Sequence, residues 1–386
     1  MTEQHVEREQ RVTPLELFFD LVFVFGFTQV TTVLANTPTW GGLGHALLVL
    51  VALWWAWASY AWLTNTVDPG EGLVWGTMVV AMAAIFVAAL AVPEAFGRRG
   101  VVFGVAFLIV AVMQLALYAL SARGDRDLFT AILRLAPSSL AGSALILAAG
   151  FVHGGLRPAL WLVALAVGLF GPLLVGLSGW RVHPAHFVER HGLIVIIAIG
   201  ESLVAIGFGA RGTGLGAGVI VAAVLGLLVA ASFWLAYFDF FTIRAQQLLT
   251  ERSGAARTAV ARDTYTYLHL PMVAGIVLFA FAIRTTLAHV GHELAVVPAL
   301  ALCGGPALYL FAYVALRLRV SRQFGGGRLV AAFACAALLP VALLLPALVA
   351  LSLVAAVWIA LHAYELIWWR EARVQTRAQR LPASAS

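Results

Sequence analysis

The stretch Leu15–Phe25, LELFFDLVFVF, decides the fold of this protein, because it combines a membrane-like composition with two acidic side chains. Its other nine residues are apolar, as in a segment that enters a lipid bilayer. A carboxylate inside such a segment is costly and is by default a functional hypothesis. Glu16 and Asp20 therefore need a structural or a functional reason.

The rest of the chain has the same apolar character. Of its 386 residues, 62% are hydrophobic and 11% are charged, whereas a soluble domain carries about 25% charged residues. Apolar runs of about 18 residues or more recur from one end to the other, which predicts an all-α integral membrane protein. The lipid bilayer is the expected partner. Nucleic-acid binding is not expected, because the arginines lie between apolar runs, and no cofactor or metal is predicted.

Twelve transmembrane helices are predicted from these runs. Pro340 and Pro346 leave almost no turn between the last two, and one long broken segment there would reduce the number to eleven. The predicted spans are 15–35, 44–65, 73–93, 101–121, 131–152, 158–178, 187–209, 218–241, 264–287, 296–316, 328–345 and 347–369.

The arginines predict the orientation of the chain in the membrane. With the N-terminus inside and twelve spans, 19 of the 24 basic residues fall on the cytoplasmic side and five on the outer side. Positive residues concentrate in cytoplasmic loops, so both tails, 1–13 and 370–386, are predicted to be cytoplasmic. The polar start of the chain has no short apolar core with a cleavage site, so no secretory signal peptide is predicted.

The chain also shows a weak internal repeat. Asp20-LVFVFGFTQV aligns with Gly192-LIVIIAIGES at a shift of 172 residues, and Val51-ALWWAWASYAW aligns with Val229-AASFWLAYFDF at a shift of 178. The two matches fall in order and predict two halves of six helices, 14–180 and 181–369. An even number of helices per half makes the repeats parallel, and transporters of this design place substrate in the cleft between halves.

Glu16 and Asp20 share one face at the start of the first span, because they are four residues apart. Phe23, Phe27 and Thr31 continue that face. Three interpretations are open: the helix dipole and interfacial water tolerate the acids, arginines at the same depth pair with them, or they form a vestibule that attracts cations or handles protons. The orientation places both acids at the cytoplasmic rim, where water would keep the cost of burial modest.

The stretch VERHGLIVIIAIGES in the seventh span carries a deeper acid. Glu201 follows Glu189 by twelve residues, or about 18 Å along a helix, near the middle of the bilayer. It must be protonated, face water or find a donor on another helix. Ser202 is its polar neighbour, and the repeat alignment makes Gln29 a candidate partner. A neutral Glu201 could link helices by a hydrogen bond, but a carboxyl that couples proton or cation movement to transport is favoured.

A belt of charged residues is predicted at the cytoplasmic side. His183, His186 and Glu189 recur every three residues, but Pro184 interrupts the helix between the first two, so a salt-bridge cluster is favoured over a metal site. The belt could lock the two halves together or form an inner gate, and the sequence leaves both open. Its predicted members are Glu16, Asp20, Glu189, Arg190, His191, Asp239, Arg244, Arg262 and Asp263.

Three stretches are similar to the hallmark motifs of the bacterial low temperature requirement protein A (LtrA) family. They are PLELFFDLVFVFGFTQVT at 14–31, VERHGLIVIIAIGESLVAIG at 188–207 and YFDF at 237–240. The resemblance covers nearly the whole chain and implies a multi-pass protein of the bacterial inner membrane, named for a cold-growth phenotype. It assigns no role to any residue. The motif positions are Glu16, Phe19, Asp20, Glu189, Arg190, Gly200, Glu201, Ser202 and Asp239.

A second, shorter motif resembles the Phe-Ser-Asp motif of lysosomal and bacterial potassium channels. It consists of Phe18, Phe19 and Asp20, but Phe19 replaces the serine, and Gly192 occupies the aligned aspartate position in the second half.

Three hypotheses about function follow. The first is a proton- or cation-coupled transporter of a small solute or ion, with Glu201 as the coupling carboxyl. The second is a cation channel lined by the first and seventh helices. The third is a membrane scaffold in stress or cold adaptation. No catalytic constellation is visible, so an enzyme is not predicted.

Overall fold

The computed structural model describes residues 11–67, 72–174, 176–239 and 241–368. Within these ranges the chain folds into helices and contains no β-strand, which confirms the prediction of an all-α protein. The predicted polar tail 370–386 lies outside the described residues, as do residues 1–10 of the predicted N-terminal tail.

The helices are numbered here in chain order. A 3₁₀ turn, Val92–Glu94, follows α3, and a π-helical segment, Arg262–Tyr267, lies between α10 and α11. The α-helices in the described ranges are α1 (Pro14–Asn36), α2 (Trp40–Thr64), α3 (Gly72–Ala91), α4 (Gly100–Ser121), α5 (Arg126–Phe151), α6 (Leu156–Leu174), α7 (Pro184–Gly209), α8 (Ala217–Phe238), α9 (Phe241–Glu251), α10 (Gly254–Ala261), α11 (His269–Ala288), α12 (Val296–Ser321), α13 (Gly326–Ala337), α14 (Leu339–Ala342) and α15 (Ala347–Trp368).

Eleven helical segments of the described chain are long and apolar enough to cross a bilayer, as expected of a membrane-embedded protein. One of them, Gly254–Ala288, is built from α10, the π-helical segment and α11. The predicted span 328–345 falls on α13 and α14, a shorter apolar segment, Gly326–Ala342. The choice between twelve and eleven spans therefore stays a prediction, as do the parallel repeat and the cytoplasmic termini.

The chain divides into two compact units. Unit 1 comprises Met1–Ala198 and Ala245–Leu270, and unit 2 comprises Ile199–Arg244 and Pro271–Ser386. Helix α7 contributes its first part to unit 1 and its last part to unit 2. The predicted halves, 14–180 and 181–369, are defined by an internal repeat in the sequence and not by compactness. That repeat stays a prediction.

The start of α1 is fixed by a reciprocal cap. Thr13 Oγ1 accepts a hydrogen bond from the backbone N–H of Glu16 at 3.3 Å, and Thr13 N donates to Glu16 Oε2 at 2.9 Å. This capping box satisfies two N–H groups that a helix start leaves without partners, and Pro14 suits the first helical position. The cap therefore sets both the first turn of α1 and the position of the Glu16 carboxylate.

Glycines allow neighbouring helices to approach closely within each unit. In unit 1, a Cβ added at Gly104 of α4 would lie 2.4 Å from Leu147 Cα of α5. In unit 2, a Cβ at Gly275 of α11 would lie 2.5 Å from the carbonyl oxygen of Gly305 on α12. Small residues at such contacts are a common way to pack helices in membranes, because they let backbones meet directly.

A buried charge cluster as the candidate functional site

Two helices of unit 1, α1 and α7, bring together Glu16, Asp20, His186 and Arg190, a group that we call the charge cluster. The exposed fraction is 0% for Glu16, Asp20 and Arg190 and 1% for His186. The expectation that water at the membrane rim reaches the two acids is therefore wrong. The first turns of α7 and the side chain of Trp57 from α2 cover them, which excludes solvent.

Arg190 contacts both acidic residues. Its Nη1 donates to Asp20 Oδ2 at 3.0 Å and to the backbone oxygen of Glu16 at 2.9 Å, and its Nε lies 3.6 Å from Glu16 Oε1. The interpretation that an arginine pairs with these acids is confirmed. Nε and Nη2 of Arg190 have no hydrogen-bond partner among the described residues, so this guanidinium has donors to spare. A buried donor without a partner is uncommon and calls for an explanation.

Asp20 is held on both of its carboxylate oxygens. Trp57 Nε1 donates to Oδ1 at 2.8 Å, while Arg190 occupies Oδ2. The Trp57 ring also lies edge-on to the ring of His191, with centroids 4.9 Å apart, and the guanidinium carbon of Arg190 lies 5.8 Å from its centre. Trp57 thus orients Asp20 and closes the cluster on one side.

Glu16 is held by α7 and by its own helix cap. His186 Nε2 lies 3.0 Å from Oε1 and 3.2 Å from Oε2, and Thr13 Oγ1 donates to Oε2 at 3.0 Å. The contact of His186 with Glu16 is a hydrogen bond, and the predicted salt-bridge cluster of His183, His186 and Glu189 stays a prediction.

The hydrogen bonds of Asn65 assign the ring proton of His186. Asn65 Oδ1 accepts from the backbone N–H of His183 at 2.7 Å, which fixes the amide orientation, since that N–H can only donate. Asn65 Nδ2 then donates to the His183 carbonyl and to His186 Nδ1, each at 3.2 Å. Nδ1 of His186 is an acceptor, so its Nε2 carries the proton that it donates to Glu16.

Charge is not balanced within the cluster. Two carboxyl groups face one guanidinium, and the His186 ring is neutral in the assigned hydrogen-bond pattern. An uncompensated charge that is shielded from water is strongly unfavourable, so the cluster is most stable with one additional positive charge. The arrangement is chemically suited to the exchange of a single proton or cation.

A second buried group of titratable side chains lies beside the cluster in unit 1. His191 Nδ1 donates to the backbone oxygen of Phe187 at 2.8 Å, and its Nε2 has no hydrogen-bond partner among the described residues. His191 ring contacts reach Tyr265 at 4.8 Å and His269 at 5.5 Å between centroids. All three side chains are 0% exposed. They form a buried aromatic layer around the imidazole of His191.

Other residues of the predicted belt in unit 1 make contacts of their own. Glu189 Oε2 accepts from the backbone N–H of Val12 at 3.2 Å, and Arg262 pairs with its sequence neighbour Asp263 at 2.8 Å. Asp239 and Arg244 belong to unit 2. The belt therefore includes residues of both units. The predicted Asp239–Arg244 pair and the role of the belt as a lock or gate stay predictions.

Glu201 and Ser202 are buried in unit 2, with exposed fractions of 1% and 0%. Arg284 of α11 interacts electrostatically with Glu201. A partner on another helix is one of the three possibilities that the sequence left open. The end of α7 touches α11, since a Cβ at Gly209 would lie 2.5 Å from the Arg284 carbonyl oxygen. Gln29 is half-buried in unit 1. Its pairing with Glu201 stays a prediction, as does the coupling role of Glu201.

Sequence reasoning missed three residues that hold the cluster in place. Thr13 could have been found, because Thr13-x-x-Glu16 directly before an apolar run is the sequence pattern of a capping box. Asn65, at the end of the predicted second span, is a polar residue that needs partners when buried. Trp57 lies among several aromatic residues of α2, and nothing in that run distinguishes the one indole that binds Asp20.

Comparisons with known proteins agree with the motifs. The family model described as bacterial low temperature requirement A protein (LtrA) matches residues 11–363. An uncharacterized protein of Rhizobium meliloti (strain 1021) is 34% identical over 307 residues, which cover 76% of this chain and 74% of that protein. No solved structure matches the chain. The family resemblance predicted from the three motifs is thus confirmed: the chain belongs to the bacterial low temperature requirement A (LtrA) family.

Proposed function

We propose that this protein is a proton-coupled transporter of a small solute in the bacterial inner membrane, and that the charge cluster is the site where the proton binds. One observation carries the proposal: two fully buried carboxyl groups share a single guanidinium. Ionisable residues in membrane segments are expensive, and in transporters they form proton relays. A cluster with one acid in excess can take up and release a proton without leaving its arginine unpaired.

A proton fits this site better than a metal or alkali cation. Cations of that kind need several oxygen ligands with free lone pairs directed at one point. Here all four carboxylate oxygens already accept hydrogen bonds or ion-pair contacts, from Trp57 and Arg190 on Asp20 and from His186 and Thr13 on Glu16. The favoured ligand is therefore one that adds to an oxygen already in place, which a proton does.

Glu201 is kept as a second candidate for coupling. It is as well buried as the cluster acids, but its charge interacts with Arg284, which also lies within electrostatic reach of Arg211. An acid that is already compensated by a basic group is better suited to linking helices or to a gating contact than to holding an extra proton. This reverses the ranking of the two sites that the sequence favoured.

The first test uses proteoliposomes that contain a trapped pH-sensitive dye and a panel of small solutes supplied outside. We expect solute-dependent proton entry for the wild type and at least a tenfold lower rate for Glu16→Gln and Asp20→Asn, since each removes the excess acid. Glu94→Gln is the matched control. That acid lies outside the cluster and pairs with Arg98 at the protein surface, so its neutralisation should leave the rate unchanged.

Three outcomes distinguish the alternative functions. Proton entry that survives in both cluster variants would contradict the proposal. Single-channel currents in planar bilayers, without saturation by solute, would favour the cation channel instead. Normal growth in the cold with every buried carboxyl neutralised would favour a scaffold.

A further inference from the structure

Unit 1 contains a pocket that the charge cluster does not use. It encloses about 710 Å³ of empty space, counting the part that opens to solvent. Its wall is formed by α2, α4, α5, α6, the connection from α6 to α7, α10 and the π-helical segment. Pockets with mostly apolar walls and a few polar groups are typical of small-molecule sites. The chemistry of the wall indicates which molecule fits.

Aromatic rings line much of the pocket. The ring of Trp180 lies edge-on to Trp62, with centroids 6.2 Å apart, and edge-on to Tyr118 at 5.5 Å. Trp55 and Tyr267 form a second pair at 6.3 Å. Indole and phenol rings supply broad apolar faces on which another ring can stack at low conformational cost. The walls therefore suit a flat aromatic body.

Two polar groups of α4 in this wall have unused hydrogen-bonding capacity. The Tyr118 side chain is 0% exposed, and its hydroxyl has no hydrogen-bond partner among the described residues. Gln114 Nε2 donates to the backbone oxygen of Ser59 at 3.0 Å, which leaves the amide oxygen as an acceptor. A buried hydroxyl without a partner is costly. A ligand hydroxyl or ring N–H would satisfy these groups.

One basic side chain lies on the pocket wall. Among the described lining residues, Arg262 is the one with a formal charge. Its Nε and Nη2 both bind Asp263 Oδ1, and Asp263 does not line the pocket. Arg262 is the first residue of the π-helical segment, and such wide turns are frequent at functional sites. Guanidinium groups bind carboxylates, and also phosphates, through charge-assisted and often bidentate hydrogen bonds.

We infer that this pocket binds a small aromatic carboxylate that carries a ring hydroxyl or N–H. The carboxylate pairs with Arg262, the ring lies between the indoles, and the hydroxyl meets Tyr118 and Gln114. As a transport substrate this ligand rests on the proposed function, whereas binding itself does not. Helix α2 contributes to both the charge cluster and the pocket, because Trp57 donates to Asp20 while Trp55 and Trp62 line the pocket.

The test measures binding to the full-length protein in nanodiscs, by titration calorimetry with three matched probes. They are 4-hydroxybenzoate, its uncharged methyl ester and the cation tyramine. We expect saturable binding, tightest for 4-hydroxybenzoate. Arg262→Gln should weaken 4-hydroxybenzoate by about tenfold, as expected for the loss of one charge-assisted contact, and should leave the methyl ester unchanged. Arg98→Gln removes the same charge from a surface ion pair outside the pocket wall and should leave all three affinities unchanged.

Tyr118→Phe keeps the ring and removes the hydroxyl. Since that hydroxyl has no partner in the described structure, the variant should be as stable as the wild type, yet bind 4-hydroxybenzoate and its methyl ester several-fold more weakly. Wild-type affinity in Arg262→Gln, or tightest binding of tyramine, would overturn the inference. Binding without solute-dependent proton entry would leave the site in place and reject the transport proposal. Proton entry with another solute, together with no binding of 4-hydroxybenzoate, would keep the transport proposal and reject the binding site.

Discussion

Arg190 of unit 1 and Arg328 of unit 2 are both buried, yet their surroundings differ in charge. Arg328 is 4% exposed and binds both oxygens of one acid, Glu365, at 2.6 and 3.1 Å. Its Nη1 donates to the backbone oxygen of Ala236 at 3.0 Å, and its guanidinium carbon lies 4.0 Å from the ring centre of Tyr313. A bidentate pair of this kind is strong and geometrically specific. One base meets one acid, and each donor nitrogen has an acceptor.

The Arg190 site departs from that arrangement in two respects. It places two acids against one base, and it leaves two guanidinium nitrogens without hydrogen-bond partners among the described residues. The Arg328 site fastens α13 to α15 and to α8, which is a structural task. The Arg190 site is also buried, but its charges are not balanced, and its donor nitrogens do not all have acceptors among the described residues. The difference indicates that burial alone does not identify a functional charged group, whereas an excess of acidic over basic side chains does.

The largest expected effect is the removal of either arginine. Arg190→Gln and Arg328→Gln should each destabilise the protein by about 3–5 kcal/mol, because each leaves buried acid without its partner. The two sites should differ in whether a second substitution restores the lost stability. Glu365→Gln should restore most of the loss in Arg328→Gln, since no charge remains there. Neither Glu16→Gln nor Asp20→Asn alone should restore Arg190→Gln, since one acid is left.

The measurement is the midpoint of unfolding in a denaturant titration, with the fraction of monodisperse protein as a second readout. Full rescue of Arg190→Gln by one carboxyl substitution would show that only one acid is charged in the folded protein. The two sites would then be equivalent in charge, and the contrast between them would be lost.

The next effect separates stability from activity. Asp20→Asn should leave the free energy of unfolding within about 1 kcal/mol of the wild type, because Glu16 still balances Arg190. Glu365→Gln should cost about 3 kcal/mol, because Arg328 loses its acid. Solute-dependent proton entry should show the opposite order, with a loss in Asp20→Asn and none in the Glu365→Gln protein that remains folded. Equal losses of stability in the two variants would contradict this assignment.

The sequence predicted the helices much better than the contacts between them. Apolar run length depends on local composition, so α1 and α4 begin and end within one residue of their predicted bounds. The span predicted at 328–345 falls on the shorter segment α13–α14, because Pro340 and Pro346 interrupt the apolar run. The buried face of α1, with Phe23, Phe27 and Thr31, is also confirmed, because helical periodicity fixes it.

The site was predictable only in part. The sequence paired Glu16 and Asp20 by their spacing and placed arginines at their depth, and Arg190 is the arginine they meet. Whether water reaches the acids depends on how α2 and α7 pack against α1, which no local pattern encodes. For the same reason the sequence gives no indication that Asn65 directs the proton of His186, since 121 residues separate the two.

The smallest expected effect tests that proton directly. Asn65→Asp keeps an acceptor for the His183 N–H and replaces the amide that donates to His186 Nδ1 with a carboxylate oxygen. That oxygen can be satisfied only if Nδ1 carries a proton, while Nε2 keeps its own for Glu16. The ring should therefore become an imidazolium, which a ¹⁵N NMR spectrum of histidine-labelled protein reports as two protonated ring nitrogens.

A control isolates the effect to His186. The same spectrum of Asn65→Asp combined with His186→Gln should lose the imidazolium signal, while the signals of His191 and His269 stay as in the wild type. The imidazolium balances the carboxylate that the substitution introduces, so Glu16 and Asp20 still face one guanidinium and one acid stays in excess. Proton entry should therefore persist in Asn65→Asp, because the net charge of the cluster is the same as in the wild type. A singly protonated His186 in this variant would show that Asn65 does not control the protonation of the ring.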